Sequence, residues 1–269
     1  MTPMFFGSGT AQKFAALHRP APGDNQAPAV LLCSPFGEEA IRIHRSFRIL
    51  SEKLAQAGCH VLRFDYRGAG DSAGDDGDLS LASMAADIRD AHEELMDISA
   101  TRRVVWVGLR LGAAAALNAA MEKKTAGLVK LILWDPVFDG AAHLAELDAM
   151  HIGYLADSFD APVNTIKRQV GSTQGEEALG FHLSKDLRDQ LAALNFRSVD
   201  KRPVRNIAIF GDKDPMTETV GAALQEAGVT LSADTFSDTT AWNSDKALNE
   251  FVVPTKTIDN IVKAVTVWR

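Results

Sequence analysis

The pentapeptide Gly108-Leu109-Arg110-Leu111-Gly112 follows the apolar run Val104 to Val107 and opens an alanine-rich stretch, a pattern that reads as strand, tight turn and helix. With serine at its centre, a G-x-S-x-G turn of this kind lifts a hydroxyl to the carboxyl end of a sheet, where it can attack an acyl carbon. Arginine holds that position here. Its guanidinium stays protonated and offers no lone pair, so it neither attacks a carbonyl nor accepts a proton. A cation at a helix N-terminus also meets the positive end of the helix dipole, so an anion is expected beside it. The internal candidates are Glu38, Glu39, Asp135 and Asp214; the external one is a carboxylate or phosphate of a ligand. Two readings of Arg110 stand side by side: a structural ion pair that plugs the site, and a guanidinium that faces a ligand.

The elements that must hold these residues follow from periodicity. Residues 4–7 and 13–18 suggest an opening hairpin. Strand and helix then alternate: a third strand at 29–33, a helix at 45–57 carrying Phe47, Leu50 and Leu54 at helical spacing, a fourth strand at 60–64, and a helix at 79–98. A fifth strand at 104–107, a helix at 111–122 and a sixth strand at 128–134 complete the first half. The strand signal stops between residues 138 and 201, where helices and loops are expected to form a cap. It returns with a seventh strand at 206–210, a helix at 217–227, a last strand at 229–236 and a closing helix at 255–268. This alternation implies an α/β fold with a mostly parallel sheet, helices on both faces, and ligands at the carboxyl ends of the strands. Residues 1–137 and 202–269 would form one core, with 138–201 as a small helical cap inserted into it.

At 269 residues and 46% apolar content, the chain is long enough for one large domain with its own core. A formal net charge of -7 and scattered basic residues argue against nucleic acid as a partner. The N-terminal residues lack the basic and long apolar regions of a secretory signal, and no apolar run approaches the roughly 18 residues a spanning helix needs. A cytoplasmic protein without a membrane span is expected. Cys33 closes one strand and Cys59 opens the next, so in parallel strands their thiols would lie on the order of 13 Å apart, too far for a disulfide. Neither the histidines nor the cysteines show metal-ligand spacing, so no metal and no cofactor are expected.

Several segments together resemble the α/β-hydrolase superfamily, over nearly the whole chain: Cys33-Ser34-Pro35-Phe36-Gly37 after the third strand, the run from Phe64 to Gly74 after the fourth, the elbow itself, and Gly211-Asp212-Lys213-Asp214-Pro215 after the seventh. More narrowly, Pro35-Phe36-Gly37-Glu38-Glu39, the run Gly108 to Ala113, and Trp242 after the last strand resemble the hydrolase-like proteins encoded with bacterial exosortase and exopolysaccharide systems.

The resemblance implies roles residue by residue. Asp214 matches the triad acid that orients a histidine. That histidine should follow the last strand, yet no histidine exists beyond His182, and Trp242 falls where the imidazole would lie. Nucleophile and general base are therefore lost together, which excludes the ordinary acyl-serine mechanism. The backbone N–H of Leu111 and one near Phe36 would still form an oxyanion hole. Asp65, Arg67 and Ser72 are expected to fix a turn, and His44 and His182 are the histidines able to approach the pocket. Two functions remain open. One is a pseudoenzyme that binds an anionic or acyl small molecule, an acyl carrier or a protein partner. The other is a hydrolase of acyl esters or thioesters in which Glu38 or Glu39 activates water.

Overall fold

A computed structural model of the chain describes all residues except 24–25, 171–175, 213, 236–252 and 268–269. Its centre is an eight-stranded sheet in the order β1-β2-β4-β3-β5-β6-β9-β10. The strands are β1 (Thr2–Phe6), β2 (Lys13–His18), β3 (Ala29–Cys33), β4 (Val61–Phe64), β5 (Val104–Leu109), β6 (Leu128–Trp134), β9 (Asn206–Gly211) and β10 (Thr230–Thr235). β1 and β2 form the antiparallel hairpin at one edge, β2 pairs antiparallel with β4, and the strands from β4 onward are mutually parallel.

Period-two alternation sends each central strand's side chains to two separate cores. From β5, Val104 and Trp106 enter one layer, while Val105, Val107 and Leu109 enter the other; from β3, Leu31 and Cys33 go one way, Val30 and Leu32 the other. Helices α2 (Leu81–Ser99) and α3 (Leu111–Glu122) cover the first face, and α1 (Glu38–Gln56) and the closing helix α8 (Thr255–Thr266) cover the second. A sheet buried on both faces needs near-continuous apolar strands, which is what β3 and β5 supply.

Between β6 and β9 run α4 (Gly140–Ser158), α5 (Val163–Val170), a short hairpin of β7 (Glu177–Ala178) and β8 (Phe181–His182), and α6 (Lys185–Ala193); α7 (Pro215–Glu226) follows β9. The strand-free expectation for this stretch misses β7 and β8, because two-residue strands leave no periodic signal. Ser184 Oγ donates to the Leu79 carbonyl at 3.0 Å, and Gln190 Oε1 accepts the Ala82 N–H at 2.9 Å, so α6 and its cap are fastened to the start of α2.

Helix starts depart from expectation for local reasons. α1 begins at Glu38 rather than residue 45: its first turn places Glu38 and Glu39 at the positive helix end, and the buried position there, Glu39, is a carboxylate that adds nothing to the apolar spacing. α7 begins at Pro215, with Asp214 as its N-cap, two residues before the expected Thr217.

Candidate functional site

The elbow is built by two glycines that no other residue could replace. A Cβ on Gly112 would stand 2.3 Å from both the Cys33 and Ser34 carbonyl oxygens, and one on Gly108 would stand 2.5 Å from the Ala113 Cα. Their absence lets α3 pack directly on the end of β3. Between them Arg110 takes φ 51° and ψ -120°, a backbone conformation strained for any side chain. The turn thus keeps the geometry that exposes a central side chain, although that side chain is no nucleophile.

The guanidinium is surrounded by carboxylates. Arg110 Nε donates to Glu39 Oε1 at 2.9 Å, Nη2 donates to Glu146 Oε2 at 2.9 Å, and Nη1 lies 3.8 Å from Asp135 Oδ2. Arg110 and Glu39 retain only 12% and 9% side-chain exposure, whereas Asp135 and Glu146 retain 38% and 39%. Burial alone would ease proton loss from Arg110, but the charges of Glu39, Asp135 and Glu146 outweigh it and hold the proton more firmly than usual. Glu146 is pushed below its ordinary value, chiefly by the hydrogen bond with His143, whose Nδ1 lies 3.4 Å away, and by Arg110. Three carboxylates around one guanidinium leave the cluster net negative, which disfavours a further anion at this point.

A small gap lined by Phe36, Gly37, Glu38, Glu39, Leu147, Met150, Ala178 and Leu179 has a volume of about 10 Å³, room for roughly one water. The Leu111 N–H, next to Arg110, has no hydrogen-bond partner among the described residues.

The other candidates are placed elsewhere. Glu38 is bonded by Arg42 of its own helix at 2.6 Å. Asp214 is exposed and caps α7, accepting from the Thr217 N–H at 2.8 Å and the Thr217 hydroxyl at 3.1 Å; no ion pair joins it to Arg110 among the described residues. Asp214 thus serves as the N-cap of α7, and the loop after β10 that the resemblance would place beside it lies outside the described residues. Trp242 lies outside the described residues, as does the loop where a triad histidine would stand. Phe36 packs edge-on against Phe181 of β8, with ring centroids 6.1 Å apart. Ser72 fixes its turn as expected, donating to the Asp65 carbonyl at 2.6 Å. Cys33 and Cys59 are buried free thiols; burial drives both upward, Cys59 to about 12.

Glu146 was missed in the sequence because its partner lies far away along the chain. The available signal was the His143/Glu146 pair, three residues apart on one helix face between buried Leu144 and Leu147.

A larger cavity of about 640 Å³ opens on the other side of the Ser34–Gly37 loop. α1, β2, β4 and the turn after β4 enclose it, and the β7–β8 hairpin roofs it through Phe181 and His182. His44 and Ser34 both line it, but no hydrogen bond joins them among the described residues, and Arg110 does not line it.

A family model described as serine aminopeptidase, S33, matches residues 24–170. The chain belongs to that family of α/β-hydrolases. An uncharacterized protein of Mycobacterium tuberculosis, found in two strains, is 35% identical over 139 residues, 51% of this chain and 44% of its own length, so the chain spans less than half of these curated relatives. Among solved structures, the fold is similar to Est1E from Butyrivibrio proteoclasticus bound to ferulic acid (TM-score 0.62, 16% identity, 98% and 96% of the two chains). A thermostable carboxyl esterase from Bacillus coagulans in complex with glycerol aligns equally well (0.62, 17%, 98% and 97%). So does a monoglyceride lipase variant from Saccharomyces cerevisiae (0.62, 16%, 97% and 94%). At these identities the likeness establishes the α/β-hydrolase fold. No helix among the described residues is long and apolar enough to cross a membrane.

Proposed function

We propose that this family member is a pseudo-hydrolase: it retains the hydrolase scaffold but performs no acyl transfer at its elbow, and acts by binding a small molecule or a protein or acyl-carrier partner. The observation that carries this reading is the position of Arg110, whose Nε and Nη2 are bonded by Glu39 and Glu146 where a nucleophilic hydroxyl would stand. Replacing that hydroxyl with a permanently charged group removes the covalent step, and ion pairing across to α4 turns the elbow into an anchor for the insertion, read here as a cap. The narrower kinship with hydrolase-like proteins of exosortase and exopolysaccharide systems belongs to the same reading, supported by the segments around Phe36 and Arg110. Action in the cytoplasm is supported by two buried free thiols.

The alternative, water activation by Glu38 or Glu39, requires a carboxylate free to take a proton. Glu38 is held by Arg42 and Glu39 by Arg110, so neither supports that mechanism. The deciding experiment assays wild type and Arg110→Ser on short-chain p-nitrophenyl esters and acyl thioesters. No turnover above buffer is expected from either protein; turnover by wild type overturns the proposal.

A further inference from the structure

The roughly 640 Å³ cavity beyond the Ser34–Gly37 loop has the size of a small-molecule site and the matching chemistry of mostly apolar walls with few polar groups. Phe14, Phe36, Phe47, Phe64 and Phe181 contribute to its lining, and Arg63 of β4 is the cation among the residues that line it. Arg63 forms no ion pair among the described residues; its Nη2 meets only the Met1 thioether, at 3.5 Å, and its Nε is buried without a hydrogen-bond partner. A buried guanidinium hydrogen left unpaired is costly, and a ligand anion would satisfy it. Burial pulls this guanidinium below its usual value, with Asp65 opposing.

The acidic groups around the cavity narrow the ligand. Asp65, which directly follows β4, already accepts the Asp71 N–H at 3.1 Å. Asp71 and Asp76 are exposed at the opening, beside the exposed imidazoles of His44 and His182. Two carboxylates at the opening repel a molecule carrying more than one negative charge, while one half-buried cation accommodates a single anionic group.

We propose that this cavity binds an apolar monocarboxylate, with the carboxylate on Arg63 and an aliphatic or aromatic body among the phenylalanines. The site lies apart from Arg110, and the proposal rests on the pseudo-hydrolase reading only in taking the elbow as closed. The ester assays and the binding assay fail separately: turnover sinks the first, absence of binding sinks the second.

The test is calorimetric titration of the full chain with octanoate and 3-phenylpropanoate, compared with 1-octanol and succinate. Saturable binding is expected for at least one monocarboxylate, at least about ten-fold tighter than for the alcohol, with none for succinate. Arg63→Gln should erase the preference for carboxylate over alcohol. Ala40→Phe, which adds bulk to the lining from α1, should weaken both. Circular dichroism checks that each variant is folded. The proposal is overturned if no monocarboxylate binds saturably, if Arg63→Gln keeps the carboxylate preference, or if Arg110→Met abolishes binding that Arg63→Gln leaves intact.

Discussion

Arg110 Nη2 lies 2.9 Å from Glu146 Oε2, so the residue standing in the elbow of the sheet is bonded to α4, the first helix between β6 and β9. With Glu39 bonded at 2.9 Å to Nε, the guanidinium joins the first turn of α1, the elbow after β5 and α4 in one contact. A hydroxyl could not span these three elements.

Removing the cation should therefore be felt as stability rather than as activity. Arg110→Met leaves Glu39 buried without its counter-ion, and we expect a loss of about 2 to 4 kcal/mol in denaturant unfolding, discounted because Glu146 and Asp135 keep access to water. Adding Glu39→Gln should recover at least about 1 kcal/mol of it, a coupling that a double-mutant cycle measures. Additive effects would mean that the pair is not interacting.

The glycine at the end of the elbow should tolerate nothing larger. Gly112→Ala forces a methyl to within 2.3 Å of two carbonyl oxygens, so separation of α3 from β3 is required. A loss above about 4 kcal/mol, or failure to yield folded protein, is expected in thermal unfolding. A variant as stable as the parent would contradict the packing of elbow on β3.

Asp214 should behave as a cap. Asp214→Ala removes the acceptor for the Thr217 N–H and hydroxyl, and costs about 1 kcal/mol without altering ligand binding. Asp214→Asn, which keeps an acceptor oxygen, should restore most of that loss; a larger loss from both changes would indicate a role beyond capping.

Acid should destabilise the fold through histidines buried in neutral form. Burial holds His18 at about 4, against an ordinary value of 6.5. His92 is also lowered by burial, with Nδ1 accepting the Trp106 indole N–H at 3.0 Å and Nε2 donating to the Ala126 carbonyl at 2.9 Å. The unfolded chain binds protons at these sites first, so stability is complete above pH 6.5 and falls as pH drops toward 4. Below that window the lowered Glu146 adds to the loss as its carboxylate protonates. We expect His18→Gln to flatten the decline between pH 6.5 and 4.5 by on the order of 1 to 2 kcal/mol; an unchanged slope would show that His18 does not carry it.

The large features of this fold are legible in the sequence because they follow from periodicity. α3 and β6 begin and end where apolar spacing predicts, and the α/β alternation fixes the parallel sheet. The arginine elbow is legible too, since a G-x-R-x-G turn after an apolar strand has few other readings. Glu39 and Asp135 are foreseen as partners, but the choice among four carboxylates depends on where α1 starts, and that start carries no apolar signal. Glu146 is invisible for a different reason: it sits 36 residues from Arg110, on a helix whose placement over the elbow is tertiary. Arg63 escapes because only the assembled cavity distinguishes a partner-poor guanidinium from an ordinary polar position on a strand.

The central claim is that no serine in this protein is an activated nucleophile. Intact-mass spectrometry after incubation with a fluorophosphonate, which phosphonylates activated serine hydroxyls, tests it most directly. The chain should keep its unmodified mass under conditions that label an active serine esterase completely. A stoichiometric single adduct, mapped to Ser34 or any other serine and lost on denaturing the protein beforehand, would contradict it.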